Sequence, residues 1–207
     1  GSGISAFLVP TSSPGFHIEH IIKMFGSIGG DEAELRLEDV AVKPWQLVGG
    51  LHQGFATAIY GVSIGRIYNS ARAVGYGRWA LEKALEHAKT REAFGKPVSE
   101  YQGVSFPLTE SAMELRAAHL MGLNAASLLD QGAPAVKELS MTKAYSTEIG
   151  VRAVDRAMQA QGAMGFTNEM HLTEAWHSLR SVNVADGTNE ILRRTIAQRL
   201  FKGDVEV

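Results

Sequence analysis

The sequence predicts a mainly α-helical protein, with a helical bundle over residues 51–207 preceded by a partial antiparallel β-domain over residues 1–50. Three observations predict it. Apolar residues alternate with polar ones before about Gly54 and recur at helical spacing after it. Glycine and proline clusters at Gly95-Lys96-Pro97 and Gln131-Gly132-Ala133-Pro134 cut the later region into long segments. Two long antiparallel helices with a third of similar length imply a bundle.

The β-region is read in order. Ile4-Ser5-Ala6-Phe7-Leu8-Val9 is a strand ended by Pro10, and Pro14-Gly15 marks a turn. His17 to Met24 is a strand with mixed faces. Ala33 to Val40 alternates apolar and charged residues, the pattern of a half-buried strand. So few strands cannot close a sheet core and leave unpaired edges. With the opening Gly1-Ser2 and no initiator Met, they suggest a piece of a longer protein.

The first helix is expected from Phe55 to Arg91, roughly 50 Å at about 1.5 Å per residue. Gly61, Gly65, Gly75 and Gly77 lie inside it, each costing up to about 1 kcal/mol relative to Ala. Glycines at that density suggest close helix packing or a ligand passing near the backbone. Ser99-x-x-Gln102 reads as a capping box for a second helix running to about Asp130. Pro134 starts a third, to about Gln161. A fourth covers Glu169 to Val182 and a fifth Thr188 to Phe201.

Composition narrows the function. The formal charge of −2 gives no basic excess for nucleic acid or an anionic membrane. Without cysteine there are no disulfides, no thiol catalysis and no Cys-ligated zinc or iron–sulfur sites, which fits a reducing cytoplasm. No apolar run reaches the roughly 18 residues of a transmembrane helix. The seven histidines show no metal-ligand spacing, and Met113, Met121, Met141 and Met158 read as core filler.

Three clusters could carry chemistry, and each has a structural reading beside a functional one. Asp186, before Gly187-Thr188-Asn189-Glu190, is a helix N-cap or a positioned general base. Arg91-x-x-Phe94-Gly95 is a helix-terminal turn in which Phe packs, or a phosphate-binding Arg beside an aromatic that flanks a ring. Gln159 to Phe166 is a glycine C-cap, or a turn where Gly162, Ala163 and Gly165 admit a diphosphate to backbone N–H groups.

Taken in this order and spacing, the three clusters resemble the acyl-CoA dehydrogenase family. The likeness extends to Ile4–Pro10, Pro14-Gly15-Phe16, Leu37–Pro44 and Gly54-Phe55, so it covers the second half of the family's middle β-domain and its C-terminal helical domain. The resemblance implies an FAD enzyme that dehydrogenates an acyl-CoA at its α,β carbons and passes electrons to an electron-transfer flavoprotein. By the resemblance, Asp186 is the catalytic base. Arg91 and Phe94 meet the FAD of a neighbouring subunit, with Gln102, Gln159, Gly162 and Ala163 lining the same region. Thr188 and Glu190 touch the subunit's own FAD, and Arg66 and Gly187 lie at the substrate. Sites built across subunits imply a homo-oligomer, dimer or tetramer.

Departures from the family pattern are informative. Most members have Glu where this chain has Asp186, one C–C bond (about 1.5 Å) shorter. Members that carry the base on the first helix need a carboxylate near Gly65, and there is none. A subset pairs Asp before the Gly with a Gly-Arg-Ile like Gly65-Arg66-Ile67, and nitroalkane oxidases of the superfamily also use Asp. Ala163 replaces a frequent Gly and His177 a usual Arg. Alternatives are a nitroalkane-oxidase-like flavoenzyme, or an assembly module that is inert as an isolated fragment.

Overall fold

The computed structural model describes residues 3–25 and 30–205, so Gly1-Ser2 lies outside the described residues. The chain divides into two compact units, Gly1–Ile64 and Gly65–Val207.

The first unit holds two short antiparallel ladders. Strand β1 (Ala6–Phe7) pairs with β4 (Leu47–Val48), and β2 (Phe16–Ile22) pairs with β3 (Glu32–Leu37) around a bulge between Ile18 and His20. The expected turn is present. Phe16 N–H donates to Ser13 O at 3.0 Å with Gly15 at φ +84°, which is a type II turn with Pro14 at its first central position. Two expectations change. The first strand pairs over two residues rather than six, because beyond Phe7 the chain bonds the Gln46 turn, Leu8 N–H to Gln46 O at 2.8 Å and Gln46 Nε2 to Leu8 O at 2.6 Å. Strand β3 is exposed on both faces rather than half-buried. Its alternation does build an apolar face, with Phe16 opposite Leu37 and Ile18 opposite Leu35, but no described residue covers it.

The second unit is helical. Helix α1 (Gly54–Thr90) begins in the first unit and supplies its later residues to the second, followed by α2 (Gln102–Asp130), α3 (Val136–Gln161), α4 (Leu172–Val182) and α5 (Asn189–Leu200). Helix α3 lies at the centre, with α2, α4 and α5 packed on it. The core joins Ala73, Ala80, Ala84 and Ala88 of α1 to Leu108 and Leu115 of α2, Ile149, Val154 and Met158 of α3, and Leu172 and Leu179 of α4. Small residues on α1 let its neighbours approach. A Cβ on Gly77 would stand 2.5 Å from Leu115 Cδ2.

The helices follow the expected order, but their ends are made differently. No capping box forms at Ser99, because a 3-10 turn over Val98–Glu100 runs into α2 and Tyr101 is its N-cap without a side-chain bond. Helix α3 starts two residues after Pro134, behind Ala135 at φ +43°. Helix α4 starts at Leu172 rather than Glu169, since residues 168–170 form a separate 3-10 turn and His171 breaks the run at φ +56°.

Candidate active site

The loop between α4 and α5 carries Asp186 and Gly187, at φ +55° and +93°. Asp tolerates this left-handed region better than most residues, and glycine enters it freely. The loop is anchored at its far end by Thr188, the N-cap of α5, whose Oγ1 accepts from Ile191 N–H at 3.3 Å. Asp186 is therefore not the cap, and its carboxylate is turned elsewhere.

It is turned toward α1. Asn69 Nδ2 donates to Asp186 Oδ2 at 2.5 Å, and Arg66 Nε donates to the Asp186 carbonyl at 3.3 Å. The carboxylate occupies the notch left by Gly65, where an added Cβ would stand 2.8 Å from Oδ2. From the other side, the fully buried Lys143 of α3 donates from Nζ to Gly187 O and to Asn189 Oδ1, both at 3.0 Å. Asn189 in turn donates to Thr147 Oγ1 at 3.2 Å and to Glu148 Oε1 at 3.2 Å.

The electrostatics follow from this enclosure. Burial pushes the Lys143 ammonium down to about 8, against the pull of Asp186; Arg66 adds to the lowering. Burial also lowers Arg66, with Asp186 opposing. The exposed Glu190 carboxyl is held below the ordinary range first by its own backbone N–H at the start of α5 and then by the Thr188 hydroxyl. One carboxylate thus faces two cations, on a loop fixed at both ends, which suits a positioned base.

A second group of expected residues gathers in another place. Arg91, Gln159, Gly162 and Ala163 line one cleft of about 700 Å³, together with Arg156 and Gly103, the neighbour of Gln102. Gly162 is the C-cap of α3 at φ +58°, and nothing stands within 4 Å of where its Cβ would be, so the backbone is open to a ligand. Gly165 is different. A Cβ there would meet Met158 O at 2.5 Å, so this glycine serves helix-end packing. Beneath the cleft the Gln161 amide is buried with neither polar atom hydrogen-bonded to protein. Phe94 and Gly95 form the two-residue turn of a hairpin between β5 (Glu92–Ala93) and β6 (Lys96–Pro97), at φ +51° and +85°. Phe94 does not pack as a helix-end residue would. It is 97% exposed, with its ring nearly perpendicular to that of Tyr101 at 6.4 Å between centroids.

Sequence reasoning missed Asn69, Lys143 and Asn189. A signal for Lys143 existed: Leu139, Lys143, Ser146, Gly150, Ala153 and Ala157 recur at alternating steps of four and three, which places the lysine on the buried stripe of α3.

Comparison with known proteins places this helical unit, with its carboxylate loop closing on α1, in a family of known domains. Residues 52–201 match the model for the acyl-CoA dehydrogenase C-terminal domain, and the chain belongs to that family. It is 37% identical over 199 residues to the probable acyl-CoA dehydrogenase YngJ of Bacillus subtilis, covering 96% of this chain and 52% of YngJ. It is 32% identical over 200 residues to the caffeyl-CoA reductase-Etf complex subunit CarC of Acetobacterium woodii, covering 97% and 53%. The structure of PigA with FAD and proline superposes with a TM-score of 0.91 at 27% identity, covering 95% of this chain and 51% of PigA. The chain thus spans about half the length of the curated relatives it matches. No helix among the described residues is long and apolar enough to cross a membrane.

Proposed function

We propose that this chain supplies the base and part of the cofactor site of an FAD-dependent acyl-CoA dehydrogenase, acting in the cytoplasm as a homo-oligomer. The observation that carries the reading is Asp186, lodged over Gly65, hydrogen-bonded by Asn69 and faced by Arg66 and Lys143. The carboxylate accepts the proton from the carbon next to the thioester carbonyl, while a hydride leaves the neighbouring carbon. Bound FAD would supply the hydride acceptor, and an electron-transfer flavoprotein would collect the electrons. The residues fit the cofactor. Arg91 offers a bidentate partner for phosphate, the open Gly162 backbone admits a diphosphate, and exposed Phe94 offers an aromatic face. On this reading Gln102, Gln159 and Ala163 line that region for a neighbouring subunit's FAD, while Thr188 and Glu190 meet the subunit's own. Arg66 and Gly187 border the substrate.

Base catalysis of this kind contributes about 10²–10⁴-fold. In the natural full-length polypeptide, Asp186→Asn should slow flavin bleaching by acyl-CoA esters by that factor while leaving bound FAD in place. Bleaching at the unaltered rate removes Asp186 as the base.

A further inference from the structure

Asn69 stands inside α1 at 6% exposure, a position where an amide is costly unless hydrogen-bonded. Its Nδ2 donates to Asp186 Oδ2 at 2.5 Å across 117 residues of sequence. We infer that Asn69 is a positioning residue for Asp186: it holds Oδ2 and leaves Oδ1 as the oxygen turned to take a proton. This rests on Asp186 being the base.

A physical effect supports the assignment. Fixing one oxygen against the Gly65 notch removes side-chain rotation, which the shorter reach of Asp makes more consequential for approach to a substrate carbon. The charged groups that face Asp186 are Arg66 from α1 and Lys143 from α3; Glu148 of α3 and Glu190 of α5 act on Lys143. None of these sits where Asn69 does, so the amide's contribution is separable from theirs.

The test reads turnover against binding in the FAD-loaded full-length polypeptide. Asn69→Leu, branched like Asn but without a donor, should slow flavin reduction by acyl-CoA esters about tenfold, the scale of one hydrogen bond to a charged group, with KM little changed. Asn69→Ser, which keeps a shorter donor, should lose less. In the Asp186→Asn background, Asn69→Leu should add no further loss. A purely structural Asn69 would lower the melting temperature and leave the rate of the folded variants where it is, and an unchanged rate in folded Asn69→Leu overturns the proposal. So does failure of both variants to fold, since Asn69 is then scaffold. Should Asp186→Asn keep full activity, the base assignment fails; should Asp186→Asn lose activity while Asn69→Leu keeps it, only the role of Asn69 fails.

Discussion

Lys143 is an ammonium with no exposed surface, and its bonds to Gly187 O and Asn189 Oδ1 tie the Asp186 loop to the centre of the helical unit. Replacing it by Met leaves two buried acceptors short of a donor, a loss of about 1–3 kcal/mol offset in part by no longer burying a charge. The sign with pH is defined. Lys143 has its folded pKa lowered from 10.5 to about 8, so between those values the unfolded chain binds the proton and the folded chain does not. Stability from this group therefore rises as pH rises through about 8 toward 10.5. Urea denaturation at pH 7 and pH 9.5 should show the deficit of Lys143→Met widening at the higher pH; a constant deficit contradicts the lowered pKa. Asp186 was legible in the sequence because a carboxylate before Gly-Thr is a local pattern. Its partners were not, because Asn69 and Lys143 reach it only after α1 and α3 have packed; Asn69 reads as an ordinary polar position of its helix, and the spacing of Lys143 marks burial without naming a partner.

Glycines in the helices separate by what stands opposite them. Gly75 of α1 has nothing within 4 Å of where a Cβ would be, whereas at Gly150 of α3 a Cβ would meet Ala73 O at 2.9 Å and Leu179 Cδ1 at 3.1 Å. Gly75→Ala should therefore stabilise by about 0.5–1 kcal/mol through helix propensity. Gly150→Ala gains the same propensity but forces α1 and α4 away, for a net loss of about 1–2 kcal/mol. Thermal melts that rank the two the other way would show that the helices are not this closely packed. The helices were legible at this scale because their apolar spacing runs for many turns. Their ends were not. The Ser99 box gives way to a 3-10 turn and His171 delays α4, and both outcomes depend on where neighbouring segments draw the backbone. The strand over Ala33–Val40 shows the converse. Its period was right and its burial wrong, since alternation marks an apolar face but not what covers it.

For the whole molecule, the two sets of candidate residues serve different surroundings. The Asp186 set is enclosed within the helical unit, whereas the hairpin at Phe94 presents a bare ring at 97% exposure in a backbone region that costs a bulky residue about 1–2 kcal/mol. Strain kept at an exposed aromatic points to a role outside its own fold. Phe94→Asn fits a two-residue turn better and should raise the chain's melting temperature. The same change should lower FAD retention and subunit association of the full-length polypeptide, measured by absorbance and gel filtration. A variant that gains stability and keeps its flavin would remove Phe94 from the cofactor site.

The loop at Asp186 also sets an order of events. Its contacts close over sequence separations of 117 residues to Asn69, 120 to Arg66 and 44 to Lys143. Local structure contributes the Thr188 cap and backbone bonds at the two ends of the loop, such as Ala185 N–H to Ser181 O and Asn189 N–H to Asn183 O. Bonds of such long range form late, after the loop-closure entropy has been met by the packed core. The carboxylate therefore meets Asn69 only in molecules that have finished folding, and that hydrogen bond becomes a mark of how much of a preparation has reached the native state.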